Sequence, residues 1–416
     1  MDKLQKTQTH LPSLLGSILF ALSGLFLLGI GLLMGFGALM ALFTNKPVQA
    51  GQTILFVAFG IEGVLLFAAA FFALQKTLYK PSADQTSFIS VSRLQILMGI
   101  LIAGGAILIG SLIGGIEPVN WLLLPLLTIP AVLFPLGILI ALGTQALPLG
   151  TRWQTWSVLG LSMTLIPLLF LVLEAIIGII LIIGITAYLM LQPELASELQ
   201  ALSQQIMILG PQSEATFDLL SPYLTKPGII IIALIYMAVL VPAIEELLKP
   251  LGVWLLAGRL DSTARGFTLG ALSGAGYGLV ETIGVSGQAG DWASLLFSRI
   301  GTGLLHITTS ALMGAAIVLA WRERRYLRLI GTYLLAVLLH GLWNAFAMLY
   351  TFSSLADLLN QAGRLANIQF PLIAVMSVLA VVLFVILILS NRSMRRTISP
   401  PLPEPILPAE PMDPSP

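Results

Sequence analysis

Long, uninterrupted runs of apolar residues recur along almost the whole chain, and they constrain its fold more than any other feature. A helix that crosses a membrane needs about 20 such residues. Hydrophobic residues make up 57% of the sequence and charged residues only 9%, whereas soluble domains carry about 25% charged residues. Because backbone groups in lipid must be satisfied within the segment, these runs predict transmembrane helices. The predicted fold class is therefore all-α, a polytopic transmembrane helical bundle.

The apolar runs between charged or Gly/Pro-rich breaks predict about ten spans. The first five lie at 13–43, 52–75, 93–114, 119–143 and 156–191, and the last five at 229–256, 266–284, 293–320, 329–350 and 371–390. We expect Pro167 and Pro242 to kink their helices, since proline removes a backbone donor. The first run lacks a small-residue cleavage pattern, so we interpret it as a helix and not as a removable signal.

The spans divide the chain into four predicted regions. Residues 1–191 form an N-terminal five-helix membrane region, and residues 192–228 form an extracytoplasmic loop that is partly helical. Residues 229–390 form a C-terminal five-helix membrane domain. Residues 391–416 form a cytoplasmic tail whose proline content predicts disorder.

Basic residues gather in alternate short loops, which is typical of the cytoplasmic side of a membrane protein. One side holds Lys3, Lys6, Lys76, Lys80, Arg93, Arg152, Arg259, Arg265, Arg322, Arg324, Arg325, Arg328, Arg392, Arg395 and Arg396. The opposite side holds Lys46, Lys226 and Arg364. This alternation predicts that both termini are cytoplasmic.

Charge and cysteine content exclude several classes of function. The chain has 20 basic and 19 acidic residues, so nothing favours a nucleic-acid partner. Cys is absent, which excludes disulfides, thiolate nucleophiles and Cys-ligated metals.

Ionisable groups are costly inside a membrane, so those within spans are candidates for function. They concentrate in the sixth to ninth predicted helices, as Glu245, Glu246, Lys249, Glu281, Arg299 and His306, followed by His340 and Asn344. A rise of 1.5 Å per residue places Glu245, Glu281, His306 and His340 at similar depths of about 17 to 23 Å. Residues at i and i+4 share a helix face, as His340 and Asn344 do. We therefore expect one mid-membrane polar site.

Four motifs at these positions resemble those of the PrsW-type intramembrane proteases, which form a superfamily with type II CAAX prenyl endopeptidases and bacteriocin-processing membrane proteins. The motifs are Glu245-Glu246-Leu247-Leu248-Lys249, Tyr277-Gly278-Leu279-Val280-Glu281, Arg299 with His306, Ser310 and Gly314, and His340-Gly341-Leu342-Trp343-Asn344. The second motif ends in Glu281, where CAAX relatives have His, and this favours the PrsW branch. The resemblance covers roughly residues 229–350. It implies a multi-pass protein of a prokaryotic plasma membrane that cleaves membrane-anchored proteins or peptides.

Each polar residue also has a structural interpretation. Glu245 and Glu246 could form ion pairs with Lys249 or Arg299, and the two histidines and Asn344 could be hydrogen bonds between helices. We expect Lys249 and Arg299 to support the site by pairing with carboxylates. Adjacent helical residues point about 100° apart, so only one of Glu245 and Glu246 is expected to do the chemistry.

Hydrolysis of an amide requires a base for water, a donor to the oxyanion and an acid for the leaving amine. We predict that Glu245 or Glu246 is the base and that His306 or Glu281 helps to hold the water. His340 and Asn344 would donate to the oxyanion. No serine or cysteine nucleophile is indicated.

Metal dependence and function class both have alternatives at this point. Glu246, Glu281, His306 and His340 could ligate zinc, but the chain lacks the His-Glu-x-x-His spacing, so metal-free glutamate catalysis is slightly favoured. A proton- or ion-coupled transporter also uses mid-membrane carboxylates, and Glu62 and Glu174 favour it slightly. A non-catalytic regulatory protein on the same scaffold is the third alternative. The sequence indicates no oligomeric state.

Overall fold

The structure is a computed structural model that describes residues 10–210, 213–224, 226–287, 292–358 and 368–398. Within these residues the chain is almost entirely helical, and nine helical stretches are long and apolar enough to cross a membrane. The predicted all-α, polytopic fold is confirmed. Lys3, Lys6, Arg364 and residues 399–416 of the predicted tail lie outside the described residues.

The first membrane region contains six helices, because the predicted fifth span is interrupted. They are α1 (Leu11–Phe43), α2 (Ala50–Thr77), α3 (Arg93–Ile113), α4 (Glu117–Gly143), α5 (Arg152–Met163) and α6 (Leu165–Met190). The break falls at Thr164, between α5 and α6. It has a local cause, since Pro167 lacks the N–H that would bond to the carbonyl of Met163.

The second half continues through nine further helices. They are α7 (Pro193–Leu209), α8 (Glu214–Leu224), α9 (Pro227–Ile235), α10 (Val241–Leu248), α11 (Leu251–Leu256), α12 (Thr263–Ser286), α13 (Trp292–Glu323), α14 (Tyr326–Leu358) and α15 (Gln369–Thr397). Helices α7 and α8 occupy the predicted loop at 192–228. Helix α15 continues past the predicted end at 390, and Arg395 and Arg396 in its last turn suit the negative end of the helix dipole.

The predicted sixth span is one continuous segment that contains two irregularities. A π-helix at Tyr236–Leu240 joins α9 to α10, and α10 ends immediately before the turn at Lys249 and Pro250. Prolines explain both positions. Pro242 and Pro250 remove backbone donors, so the regular helical hydrogen-bond pattern cannot pass through either residue.

Helix α12 lies in the interior of the bundle, and most of its residues are buried. It is rich in Gly, Ser and Thr and is not among the nine described stretches that qualify as spans by length and composition alone. The core around it is built mainly from α2, α4, α13 and α15. The predicted count of ten spans therefore stays a prediction.

Several loops that carry the basic residues meet at one end of the bundle. The two-residue strands β1 (Thr86–Ser87) and β2 (Gly150–Thr151) pair antiparallel and join the loop after α2 to the loop after α4. The Arg265 side chain donates to Gln154, and the Arg322 side chain donates to the carbonyl of Leu260. This supports the predicted alternation of loops, while the cytoplasmic orientation of that end stays a prediction.

Candidate active site

Four helices bring their polar side chains together in the interior of the bundle. Glu245 and Glu246 lie in the last turn of α10, with Lys249 directly after it, while α12 carries Glu281 and α13 carries Arg299 and His306. Helix α14 carries His340 and Asn344. The side chains of Glu245, Glu246, Lys249, His306 and His340 are all buried. The predicted convergence of these carboxylates and imidazoles is confirmed, while their catalytic roles stay predictions.

Glycines allow α12 and α13 to pack at backbone contact distance. A Cβ atom at Gly274 would collide with the carbonyl oxygen of His306, and one at Gly270 would collide with that of Ser310. Because the helices approach so closely, Glu281 on α12 reaches His306 on α13. The glycines on this face of α12 therefore set the geometry of the site.

The ammonium group of Lys249 lies at the centre of the cluster. Its Nζ is 2.9 Å from Oε2 of Glu245 and 2.8 Å from Oε1 of Glu246. It is 2.7 Å from Nδ1 of His306 and 3.3 Å from Nδ1 of His340. Lys249 was expected only to support the site by pairing with a carboxylate, but it contacts both glutamates and both histidines.

Each imidazole is held by a carboxylate on one nitrogen. Oε1 of Glu246 lies 2.8 Å from Nδ1 of His340, and Oε2 of Glu281 lies 2.7 Å from Nε2 of His306. Since an ionised carboxylate only accepts hydrogen bonds, each of these nitrogens carries the proton. In the neutral rings, Nδ1 of His306 therefore accepts from the Lys249 ammonium, and Nε2 of His340 keeps its lone pair.

The Nε2 atom of His340 faces the third carboxylate, that of Glu245. Nε2 of His340 lies 3.8 Å from Oε2 of Glu245. One ligand atom from each of Glu245, His306 and His340 lies within 4.8 Å of the others. The structure thus groups the two histidines with Glu245, whereas the expected metal ligands were Glu246 and Glu281 with the histidines. Glu246 and Glu281 instead orient the rings from the outside.

Arg299 forms a two-point contact with Glu281. Nη2 of Arg299 lies 2.7 Å from Oε2 of Glu281, and Nη1 donates to Oε1 over 3.1 Å. The predicted pairing of Arg299 with a carboxylate is confirmed. The Glu281 side chain is 35% exposed, far more than that of Glu245 at 8%. The Glu281 side is consequently the most open approach to the cluster among these residues.

Tyr277 completes the wall of the site, although the sequence singled it out only as part of a motif. Its ring makes an edge contact with the ring of His306, with centroids 5.4 Å apart. The Lys249 ammonium lies 5.1 Å from the centroid of the Tyr277 ring. The position of Tyr277, one helical turn before Glu281, was the available signal.

Asn344 does not join the cluster. Its side-chain amide donates to the carbonyl of Met237 over 2.9 Å. Met237 lies in the π-helix, where backbone bonding departs from the α pattern. Nearby, Gly341 packs against the carbonyl of Ala238, the oxygen that Pro242 leaves without a helical donor.

Two other membrane glutamates lie apart from the site. Tyr236 donates to Glu174 over 3.1 Å, which links α6 to the π-helix. Glu62 is buried within α2, and among the described residues its Oε1 has no hydrogen-bond partner. Neither carboxylate is among the contacts of the central cluster.

The donor set fits a divalent metal. Two imidazole nitrogens and one carboxylate oxygen are the protein ligands of several catalytic zinc sites, which leave a further position for water or substrate. The rings also have the outer partners that such ligands need, since Glu246 and Glu281 fix their tautomers. Glu245, His306 and His340 are therefore the residues of this chain that would hold a metal.

The fold and the cluster define a polytopic membrane protein with a buried carboxylate and imidazole site. The family model for PrsW family intramembrane metalloproteases matches residues 166–389, more than half of the chain. The chain belongs to this family, as its motifs predict, and the match does not favour the transporter alternative. Comparison with curated proteins and with solved structures gives no match.

Proposed function

We propose that the chain is an endopeptidase that hydrolyses peptide bonds of membrane-anchored proteins or peptides, with Glu245 as the residue that activates water. The observation that carries this proposal is the separation of 3.8 Å between Oε2 of Glu245 and Nε2 of His340. Two acceptor atoms that face each other at this distance suit a water molecule held for attack. The family match supports the intramembrane setting of the reaction.

The roles of the remaining groups follow from their contacts. As water attacks the carbonyl carbon, Glu245 takes a proton, which it later gives to the leaving amine nitrogen. The Lys249 ammonium supplies positive charge beside the developing oxyanion, in a buried position where such charge acts strongly. Glu246 and Glu281 are positioning residues, since each holds one imidazole ring through a hydrogen bond.

A metal would give the site a second version of this chemistry, in which Glu245 is a ligand and not the base. Held by Glu245, His306 and His340, a divalent ion would supply a Lewis acid that polarises the scissile carbonyl and makes bound water more acidic. The hydrogen bonds that Glu246 and Glu281 accept from the imidazoles serve both versions, because the rings need fixed orientations in each. Direct activation of water by Glu245 remains the metal-free version of the proposal.

The substrate and setting extend the same proposal. We infer a multi-pass protein of a prokaryotic plasma membrane, with both termini and the basic loops in the cytoplasm. Single cysteines in this Cys-free chain provide the test with an impermeant reagent on intact cells. Labelling is expected at Ser213→Cys and not at Glu323→Cys. The reverse pattern would overturn the orientation.

A cleavage assay tests the function. Purified protein is incubated with a library of membrane-anchored peptides, and the products are identified by mass spectrometry. Cleavage is expected for the wild type and should be almost abolished in Glu245→Gln. Glu323→Gln is the matched control, because Glu323 is exposed and pairs only with Arg325 in the described salt bridges. Equal cleavage by wild type and Glu245→Gln would overturn the role of Glu245.

A further inference from the structure

Lys249 has more contacts than its proposed role beside the oxyanion requires. It is completely buried, and it is among the largest fully buried side chains of the described chain. Burial of an ammonium is costly unless it is paired and hydrogen-bonded. Lys249 meets that requirement by contacting Glu245, Glu246 and Nδ1 of His306.

The Lys249 contacts include all three residues that would hold a metal. Nζ lies 2.9 Å from Oε2 of Glu245 and 2.7 Å from Nδ1 of His306. Bonds from zinc to such ligands are about 2.0 to 2.2 Å long. A metal bonded to both atoms would lie almost in contact with the ammonium. Two cations in contact repel strongly in a buried site, so they cannot share this position.

The surroundings give the ammonium a second place to bind. Among the described residues, Oε2 of Glu246 accepts no hydrogen bond, while Oε1 of the same carboxylate is already bound to Lys249. The Tyr277 ring lies on another side of Nζ, at 5.1 Å. A flexible four-carbon stem allows the ammonium to move between such partners.

We propose that the Lys249 ammonium and a divalent metal are alternative occupants of one donor set formed by Glu245, His306 and His340. Lys249 bridges Oε2 of Glu245 and Nδ1 of His306 and lies beside the His340 ring, and it withdraws toward Glu246 and Tyr277 when a metal binds. The inference rests on the proposed function only in taking this cluster as the working site. It gives Lys249 a regulatory role, since the ammonium competes with the metal and lowers its affinity.

Metal binding to the purified protein tests the competition directly. Protein is stripped with a chelator and titrated with Co²⁺, whose visible absorption reports coordination, and Zn²⁺ affinity is obtained by competition with a chromophoric chelator. Lys249→Met keeps the length of the side chain and removes the charge. We expect it to bind metal on the order of tenfold more tightly than the wild type, because a nearby cation is gone.

Two further variants control the measurement. Lys226→Met makes the same substitution at an exposed lysine beside Tyr223 and is expected to bind metal like the wild type. Lys249→Arg keeps the charge in a bulkier group and should bind metal more weakly than the wild type. If Lys249→Met fails to fold, the metal affinity of Lys249→Arg compared with that of the wild type tests the proposal.

Thermal unfolding separates competition from a purely structural role. Stripped Lys249→Met should unfold at a lower temperature than the stripped wild type, because Glu245 and Glu246 lose their counter-charge. Added Zn²⁺ should raise its unfolding temperature more than that of the wild type, since a ligand that binds the folded state more tightly stabilises it more. A merely structural lysine would give the first effect without the second.

The outcomes remain distinct from those of the cleavage assay. Equal or weaker metal binding by Lys249→Met, or no metal binding by any variant, overturns the competition and leaves proteolysis by the wild type unaffected. Tighter binding by Lys249→Met together with no cleavage by the wild type supports the competition and overturns the proposed function.

Discussion

Glu246 accepts a hydrogen bond from Nδ1 of His340 over 2.8 Å, although the two residues are 94 positions apart in the chain. The contact fixes the tautomer of His340 and turns its Nε2 toward Glu245. Outer partners of this kind are typical of catalytic histidines in metalloenzymes. The two adjacent glutamates therefore have different positions: Glu246 holds the His340 ring, and Glu245 faces Nε2 of that ring.

Glu246→Gln should therefore damage activity less than Glu245→Gln. The amide oxygen still accepts from Nδ1 of His340 but has lost its charge, so we expect the cleavage rate to fall about 10- to 100-fold. Initial rates on one anchored peptide measure this, with Glu323→Gln as the matched control. A loss as complete as that of Glu245→Gln would mean that Glu246 itself contacts the attacking water.

Metal content is expected to be close to one divalent ion per chain in active protein purified without chelator. The donors and their outer partners fit such an ion, and the family is one of metalloproteases. Elemental analysis measures the content. Chelation should lower the cleavage rate, and Zn²⁺ or Co²⁺ should restore it. Full activity in metal-free protein would instead support the glutamate mechanism that the sequence slightly favours.

Asn344→Ala is expected to lower stability rather than the chemical rate. The amide of Asn344 donates a hydrogen bond to the carbonyl of Met237. A hydrogen bond between membrane helices contributes about 0.6 to 1.7 kcal/mol to stability. Thermal unfolding in detergent measures the loss, and kcat on the anchored peptide should change by no more than a small factor. A fall in kcat of about 10² to 10³ is the usual effect of removing an oxyanion donor. Such a fall would mean that Asn344 donates to the oxyanion, as the sequence predicted.

Gly274→Ala should destabilise the protein and reduce cleavage together. The added Cβ collides with the carbonyl oxygen of His306, so α12 and α13 must separate, at a cost of about 1 to 3 kcal/mol. Gly284→Ala is the matched control on the same helix, because a Cβ there has no atom within 4 Å. That variant should be as stable as the wild type or more so, since Ala favours a helix by about 0.5 to 1 kcal/mol over Gly. Equal effects of the two substitutions would contradict the role of the close helix contact.

The sequence predicted the elements and their meeting point because both depend on spacing along helices. The apolar runs locate most of the long helices, and the shared depth of Glu245, Glu281, His306 and His340 predicts that they converge. The interruption at Thr164 was not predicted. A proline near a helix end is compatible with either a kink or a break, and tertiary packing decides between them.

The sequence does not predict which of Glu245 and Glu246 holds the His340 ring. Adjacent residues on a helix point about 100° apart, but the sequence does not say which direction faces His340. The central position of Lys249 in the cluster could not be predicted from the sequence either. A long, flexible side chain can reach several partners, and its choice among them depends on α13 and α14, which come much later in the chain.

Burial of α12 has a consequence for how the protein is made. The helix carries Glu281 and a glycine-lined surface, and it is not among the described stretches that could cross a membrane by length and composition alone. During synthesis, a segment of this kind gains little from partitioning into lipid. Its insertion therefore depends on neighbouring helices that shield it, above all α13. Membrane insertion and assembly of the polar cluster are consequently coupled, and a defect in α12 packing should produce mis-inserted chains.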